Sequence, residues 1–578
     1  ANKGREFVDA SKSNKATAQM RLISEDGTVI YDDAMSQLKA RGNTTFVNAE
    51  KKSYQIKLKN KTDLIGCAEK NKTWVLLAGY FDATQMHDKA YKDLSRSIGM
   101  SYVPNCDWID LYYDGEYRGT YLLGEKNSVG ETGVNVTDLE EAYEGLNTDY
   151  GVNATTATAE NRYGCTYQYT KNLTEPDDIT GGYLLELNMP GYDEASGFKT
   201  VNGAALNVKS PEWCGKDAMK YISEYYQDFE NAVYATDENG NYTGYNEATG
   251  KYYYEYCDLT SLVQMYLIQE LANNVDGFYS SFYFYKDADG IMYAGPVWDM
   301  ESIAGSGWSG YVSPDMEFIN GRYLAKALTQ IPGFMSAVKE YYNDTFRGAS
   351  EKLICDNGIL QQSSQKISAS TSMNYAMWPY IRVGNPKNSN HLWPDGTTYN
   401  AVVEDMISWI KKRIDVLNAS YPKDGSITPV EPTDPVEPTI PTEPTVPVEP
   451  TIPTQPTEPT VTADCIYTVK ANYYINGRKV NSEPVELLCG TAEVDTVITI
   501  VPENTWSTYN GEHYILDTSD MKITVTAESE KNVLMLRYNR TSGGSSSSHA
   551  SKYAVSVGNV NNGAVTVSSK VAAKDDII

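Results

Sequence analysis

Asp276 and Asp299 stand on either side of a segment that reads as a β-hairpin, and two carboxylates delivered to one place can do chemistry. They could share a hard divalent cation, divide the work so that one orients a nucleophile while the other holds metal, or serve a glycosidase as its acid pair. The plain alternative is that acids at strand ends are solvated or capping. Ser281–Lys286 (SFYFYK) and Ile291–Gly295 (IMYAG) are strand-like runs around Asp287-Ala288-Asp289-Gly290, a turn signal, so the two strands run antiparallel. Both aspartates then emerge at the open end of the hairpin. Upstream, Asp258–Asn274 begins on an N-cap type and carries Leu259, Leu262, Val263, Tyr266, Leu267 and Leu271 at helical spacing. The unit is helix, acidic loop, hairpin, acidic loop.

The 578-residue chain has room for several domains and a sizeable core. Its formal net charge is −27 and its pI about 4.6, which argues against nucleic acid or an anionic membrane as the main partner. No apolar run approaches a bilayer-spanning length. The chain opens on Ala1 without a leader pattern, which reads as a processed or internal start. Eight cysteines are scattered singly and only four histidines occur, so a structural zinc site is not expected, while disulfides and isolated buried thiols both fit.

From Pro429 to Pro459 a proline falls at every third residue. Polyproline II has three residues per turn, so this run is an extended spacer on the order of 90 Å long. The expected organisation is a catalytic region over 1–423, a Pro/Thr/Glu-rich linker over 424–463, a small β-rich module over 464–540, a Gly/Ser linker over 541–551 and the opening of a further β module over 552–578. The start YTVKANYYINGRKV and end KNVLMLRYNR of the 464–540 module resemble the mucin-binding or internalin-repeat type of β-grasp accessory module. Such spacers and modules imply an extracellular or cell-surface location in a bacterium, with contacts to cell wall or glycan through the C-terminal modules. The 1–423 region mixes strands and helices in an order that suggests an α+β enzyme with a strand-rich first lobe.

Phosphoryl transfer needs a metal-holding acid, an acid for the nucleophile and cations for the phosphates. The cations are available in ARGNTTFVNAEKKSYQIKLKN, where Arg41, Lys51, Lys52, Lys57 and Lys59 cluster in an acidic chain, although a solvated strand would look similar. Alternation puts Tyr54, Ile56 and Leu58 on one face of that strand and Gln55, Lys57 and Lys59 on the other. Two motif matches carry no chemistry. Gly305–Gly310 spells G-x-G-x-x-G without a strand entering a helix and reads as a loop, and the calcium-loop match at Asp287 has Trp298 where a bidentate Glu is required.

With these pieces assembled, residues 19 to 420 resemble the CotH kinase family of atypical protein kinases. The resemblance is carried by Arg41-Gly42-Asn43 with KKSYQIKL, by WVLLAGYFDATQMHDK, LYYDGEYRGTYLLGEKN and GGYLLELN, and by NNVDGFYSS with GPVWDMESIAG. It implies a two-lobed kinase-like domain binding ATP with Mg²⁺ or Mn²⁺ and phosphorylating Ser or Thr hydroxyls of a protein substrate. Asp276 would orient or deprotonate the acceptor, Asp299 would hold metal with Glu301 beside it, and Asn274 would support either the metal or the Asp276 loop. Arg41, Lys52 and Lys57 would meet phosphates. Glu125 would either pair with that lysine or lie near the adenine, and Tyr293 or Trp298 would stack on the base or belong to the core. Glu301 stands where members often carry Asp, Met86-His87-Asp88 replaces an Arg-Asn pair, and Asn188 stands where an acid is common. The competing functions are a non-catalytic surface adhesin on the same fold and, more distantly, a carbohydrate-active hydrolase.

Overall fold

Alternating burial through the first part of the chain builds an antiparallel sheet. The computed structural model describes residues 2–67, 70–188, 194–305, 312–379 and 398–423, then 464–540 with short gaps, and 552–554 and 571–573. They belong to two compact units, Ala1–Val430 and Glu431–Ile578. The 424–463 spacer and the 541–551 linker lie outside the described residues, as do Ser306–Gly310 of the glycine-rich run.

After helix α1 (Arg5–Asp9) come β1 (Ala16–Ile23), β2 (Val29–Arg41), α2 (Thr44–Asn48), β3 (Ser53–Thr62), β4 (Asn71–Leu77), α3 (His87–Ser97), β5 (Cys106–Tyr113) and β6 (Glu116–Glu125). The strands form one sheet in the order β1-β2-β3-β4-β6-β5. Tyr54, Ile56 and Leu58 are buried, and Lys57 is exposed on the opposite face, as alternation requires. The turn between β5 and β6 has Asp114 and Gly115 at φ 50° and 85°, both left-handed, which suits a tight hairpin. Residues of β1 and β5, the two edges of the sheet, line one cavity of about 200 Å³, so the sheet curls around its apolar face.

A second sheet follows α4 (Leu139–Leu146). It contains β7 (Thr156–Glu160), β8 (Thr166–Thr170), β9 (Tyr183–Asn188), β10 (Gly197–Lys199) and β11 (Ala205–Ser210). Then come α5 (Lys216–Val233), the short pair β12 (Tyr245–Asn246) and β13 (Lys251–Tyr252), α6 (Leu259–Ala272), and β14 (Ser280–Lys286) with β15 (Met292–Ala294). The hairpin β14-β15 joins the second sheet beside β9, in the order β15-β14-β9-β11-β10-β8-β7. The acidic turn of this hairpin is structural. The Asp287 carboxylate accepts from the Thr137 amide at 2.8 Å and hydroxyl at 2.7 Å.

Helices α7 (Tyr323–Leu328), α8 (Phe334–Tyr341), α9 (Arg347–Ile354), α10 (Ile359–Met377) and α11 (Tyr399–Ser420) complete the first unit, which is α+β. Its largest core surrounds α6, a helix buried on nearly every side and therefore central. Leu262, Leu267, Ile268 and Leu271 are fully buried, each contributing roughly 1.5–3 kcal/mol. The Asp258 carboxylate caps the N-terminus by accepting from Ser261 N at 2.7 Å, and Asn273 ends the helix in the left-handed region at φ 44°.

Helix α10 packs on β6 from outside the first sheet. Asn374 of α10 accepts from the Thr120 amide at 3.1 Å, and Trp378 donates to the Arg118 carbonyl at 3.0 Å. Gly119 makes this possible. It has φ 102°, and a Cβ there would lie 2.3 Å from the Asn374 side-chain oxygen.

The second unit is β-rich among its described residues. Asp464–Ile475 and Val533–Arg540 pair in parallel at the centre of its sheet, around a core of Val469, Ala471, Tyr473, Leu534, Leu536 and Tyr538. Cys106, Cys165, Cys214, Cys257 and Cys355 are free thiols. No helix among the described residues is long and apolar enough to cross a membrane.

One polar knot sits inside the apolar core. Arg413 of α11 and Glu270 of α6 are both fully buried and pair at 2.9 Å. Arg413 also donates to the carbonyls of Pro314 (2.9 Å) and Met316 (2.6 Å), while Glu270 accepts from the amides of Phe318 (2.8 Å) and Ile319 (2.7 Å). Removing one member of such a pair strands the other charge in the core. Arg413→Ala is therefore expected to lower unfolding stability by about 3–5 kcal/mol, read from the urea midpoint.

Candidate functional site

The end of α6 determines where the first acid goes. The Asn273 side chain donates to the carbonyls of Ser313 at 2.9 Å and Met316 at 3.3 Å. Asn274 donates to Gln269 Oε1 at 2.7 Å and accepts from the Asp276 amide at 3.0 Å. Its amide is thus engaged in supporting the Asp276 loop. The Asp276 carbonyl accepts from the amides of Tyr279 and Ser280, both at 2.9 Å, turning the chain into β14. Its carboxyl is half-buried, and burial followed by repulsion from Asp299 pushes it up to about 6, with Arg322 acting in the opposite direction.

Asp299 reaches the same end of the hairpin. It lies in the left-handed region at φ 59°, and the Ser281 hydroxyl donates to its carboxylate at 3.0 Å. The segment behind it is tied to α6 by the Ala304 amide and the Ala272 carbonyl at 2.9 Å. Asp299 is open to solvent but ringed by protein, as at the floor of a cleft. Its pKa is raised by burial and then by Asp88, while Ser281 and Arg41 lower it. Glu301 is buried and accepts from the Phe81 amide at 2.6 Å. Burial pushes it up to about 8, and Asp299, Asp88 and Asp82 add to the shift.

The cations are distributed differently from the expectation. Lys52 donates to the carbonyls of Phe46 (2.6 Å) and Ala49 (2.5 Å) and closes the α2 turn, away from the acids. Lys57 is exposed on β3. The ammonium that enters the interior is Lys51, fully buried among the carbonyls of Ala78 (2.7 Å) and Thr120 and the side chain of Asn374 (3.0 Å), over the Tyr121 ring at 4.5 Å. Burial lowers it to about 7, and Glu301 is the acid that opposes this most.

Arg41 lies at the site. Burial lowers its pKa, and Asp299 is the first of the groups that raise it. Its guanidinium lies 5.4 Å from the Trp298 ring, and Lys92 lies 5.0 Å from the same ring. Lys39 shares a β2 face with Arg41 by alternation, and both act on Lys126 beyond β6. Burial lowers the pKa of both lysines, and like-charged neighbours add to the effect.

Glu125 is held elsewhere. Its carboxylate accepts from Asn71 at 2.8 Å and from the Asn105 amide at 2.7 Å, whereas the acids acting on Lys52 are Asp9 and Glu50. Tyr293 stacks on Tyr285 across the hairpin at 5.4 Å. Trp298 is buried with Val75, Val134, Leu184 and Tyr283 where the two sheets meet.

Asp88 was missed as a site residue. It lies in the first turn of α3, pairs with Lys92 at 3.2 Å and accepts from the Met300 amide at 3.4 Å. His87 beside it contacts the Glu301 carbonyl at 3.1 Å. Residues 87, 88 and 301 are therefore neighbours.

A divalent cation fits this donor set in the manner of nucleotide sites. Among the described residues no three acidic, His or Cys side chains converge as a complete metal cage. Magnesium at phosphates characteristically takes one or two carboxylates and completes its shell with phosphate oxygens and water. Asp299 is the carboxylate of this group that is open to solvent, and Asp88 is the acid with the largest influence on it.

Asp276, Asp299 and Arg41 come together where the two antiparallel sheets meet, within an α+β domain. The sequence matches the CotH kinase protein family over residues 38–417, and the chain belongs to that family. No curated protein matches the chain. Membership makes it a kinase-related protein. Kinases generally use ATP with a divalent metal, and a kinase of this kind implies a protein substrate.

Glu301 gives a pH test of the site. Its folded pKa lies above the ordinary carboxyl value, so between about pH 4.5 and 8 the folded state holds the extra proton and its contribution to stability is lost as pH rises. Glu301→Gln keeps an acceptor for Phe81 and removes the charge. In metal-free buffer the variant is expected to melt on the order of a few degrees above the parent at pH 8.5, with the gap closing towards pH 5.

Proposed function

We propose that the protein is a secreted or cell-surface protein kinase that transfers the γ-phosphoryl group of ATP to Ser or Thr hydroxyls of extracellular or surface proteins. The observation that carries this reading is the pairing of Asp276 and Asp299 at the open end of β14-β15, with different surroundings for each. The family match supports it, and the Pro/Thr/Glu-rich spacer supports the location.

Asp276 is the acceptor-side acid. With its pKa near 6 it is ionised at neutral pH, and it takes the hydroxyl proton as the acceptor oxygen bonds to the γ-phosphorus. The bond to the β–γ bridging oxygen breaks and ADP leaves. Arg41, Lys39 and Lys126 lie on the side of the cleft where the triphosphate charge needs compensation. A bound Mg²⁺ or Mn²⁺ would neutralise phosphate charge, with Asp299 as its principal protein ligand and Asp88 or Glu301 near it. Asn274 acts through the Asp276 loop, and Lys51 through the packing of the first sheet.

The test is transfer of labelled γ-phosphate to a Ser/Thr peptide library by the full chain. Asp276→Asn is expected to lower kcat by about 10²–10⁴-fold with nucleotide binding retained. Asp299→Ala is expected to abolish metal-dependent nucleotide binding as well as transfer. In the parent, kcat/KM should fall as pH drops below about 6, because protonated Asp276 accepts no proton. If the parent neither binds ATP nor transfers phosphate, the proposal fails.

A further inference from the structure

The surface next to Asp276 is aromatic, and the metal-side chemistry does not use it. Tyr279 stacks on Tyr323 with ring centres 4.9 Å apart and planes 23° apart. Tyr323 is 46% exposed, so its ring is not there to fill the core. It also holds φ 35°, a left-handed conformation that is unfavourable for a bulky side chain and that tends to persist at ligand clamps.

Arg322 fixes the pair to the acidic loop. Its guanidinium lies 5.7 Å from the Tyr279 ring, 5.0 Å from Phe318 and 5.3 Å from Tyr323. It donates to the carbonyl of Val275, the residue before Asp276. The ring pair is therefore registered to the carboxyl that receives the acceptor proton. Arg41, the cation placed for phosphate, neighbours Asp299 instead. A planar surface on the Asp276 side faces what Asp276 acts on, which is the acceptor.

Resting on the phosphotransfer reading, we infer that Tyr279 and Tyr323 form the acceptor-side platform and determine specificity. They pack against the side chain next to the acceptor Ser or Thr and favour protein segments with Phe, Tyr, Leu or Pro there over Gly or Asp. Tyrosine faces give such contacts at low entropic cost because only two side-chain torsions are fixed.

The experiment uses the full chain, ATP with Mg²⁺, and fluorescein-labelled peptides that differ only in the residue beside a single Ser. Both phosphate transfer and peptide binding by anisotropy are measured. The parent is expected to favour Phe- or Leu-flanked peptides over Gly-flanked ones by about three- to tenfold in kcat/KM. Tyr323→Ala should remove that preference through the peptide KM and leave the ATP KM unchanged. Tyr323→Phe should keep the preference, which separates loss of the platform from loss of folding. The inference is overturned if Tyr323→Ala slows all peptides equally, or if it raises the ATP KM. Binding separates the two readings. Tyr323-dependent peptide binding without transfer sinks the kinase reading and leaves the platform standing. Transfer without any flanking preference does the reverse, and the absence of both sinks both.

Discussion

The first unit is organised around the buried pair of Glu270 and Arg413. It lies at the last turn of α6, where the helix must stop and the loop carrying Asp276 must begin. Through it, α6, α11 and the 313–319 segment share charges, carbonyls and amides in one water-excluded place. A buried ion pair is weak evidence for net stability, because desolvation offsets much of its attraction. Its strength is directional. Each partner can be satisfied only if the others are in register, so the end of α6 is fixed, and with it Asn273, Asn274 and Asp276.

What was legible in the sequence follows from how local each signal was. The β14-β15 hairpin, the α6 helix and the Asp114-Gly115 turn rest on periodicity and turn chemistry within a few residues, and all three are present. Ala83–Ile98 reads as a helix in the sequence, yet α3 starts only at His87. The Asp82 carboxylate captures the amides of Thr84 and His87 at 2.8 and 2.7 Å and holds the intervening chain in turns. The paired acids at 276 and 299 were readable from hairpin geometry alone. Lys51 was not, because it precedes β3 in irregular backbone where strand alternation says nothing about direction. Asp88 looked like an ordinary first-turn acid. Arg322 has no motif, and only its tertiary contacts distinguish it.

The cleft is electrostatically uneven. Asp276, Asp299 and Glu301 all have raised pKa values because burial adds to mutual repulsion, while Lys39 and Lys126 are lowered for the same two reasons with opposite sign. Charges of each kind are therefore held closer to one another than the ligand-free protein favours. His87 and Asp88 border the carboxylate at 301, so these three residues form one wall beside Asp299.

The attachment of α10 bears on how the domain can move. Lys51, Asn374 and Trp378 fasten that helix to the back of the first sheet, and Trp298 joins the two sheets on the cleft side. Lobes laced at both front and back cannot swing apart like a book without breaking buried polar contacts. Relative motion of the two sheets is confined to displacements that keep these contacts, so the groups around Asp276 and Asp299 are held in order before anything binds.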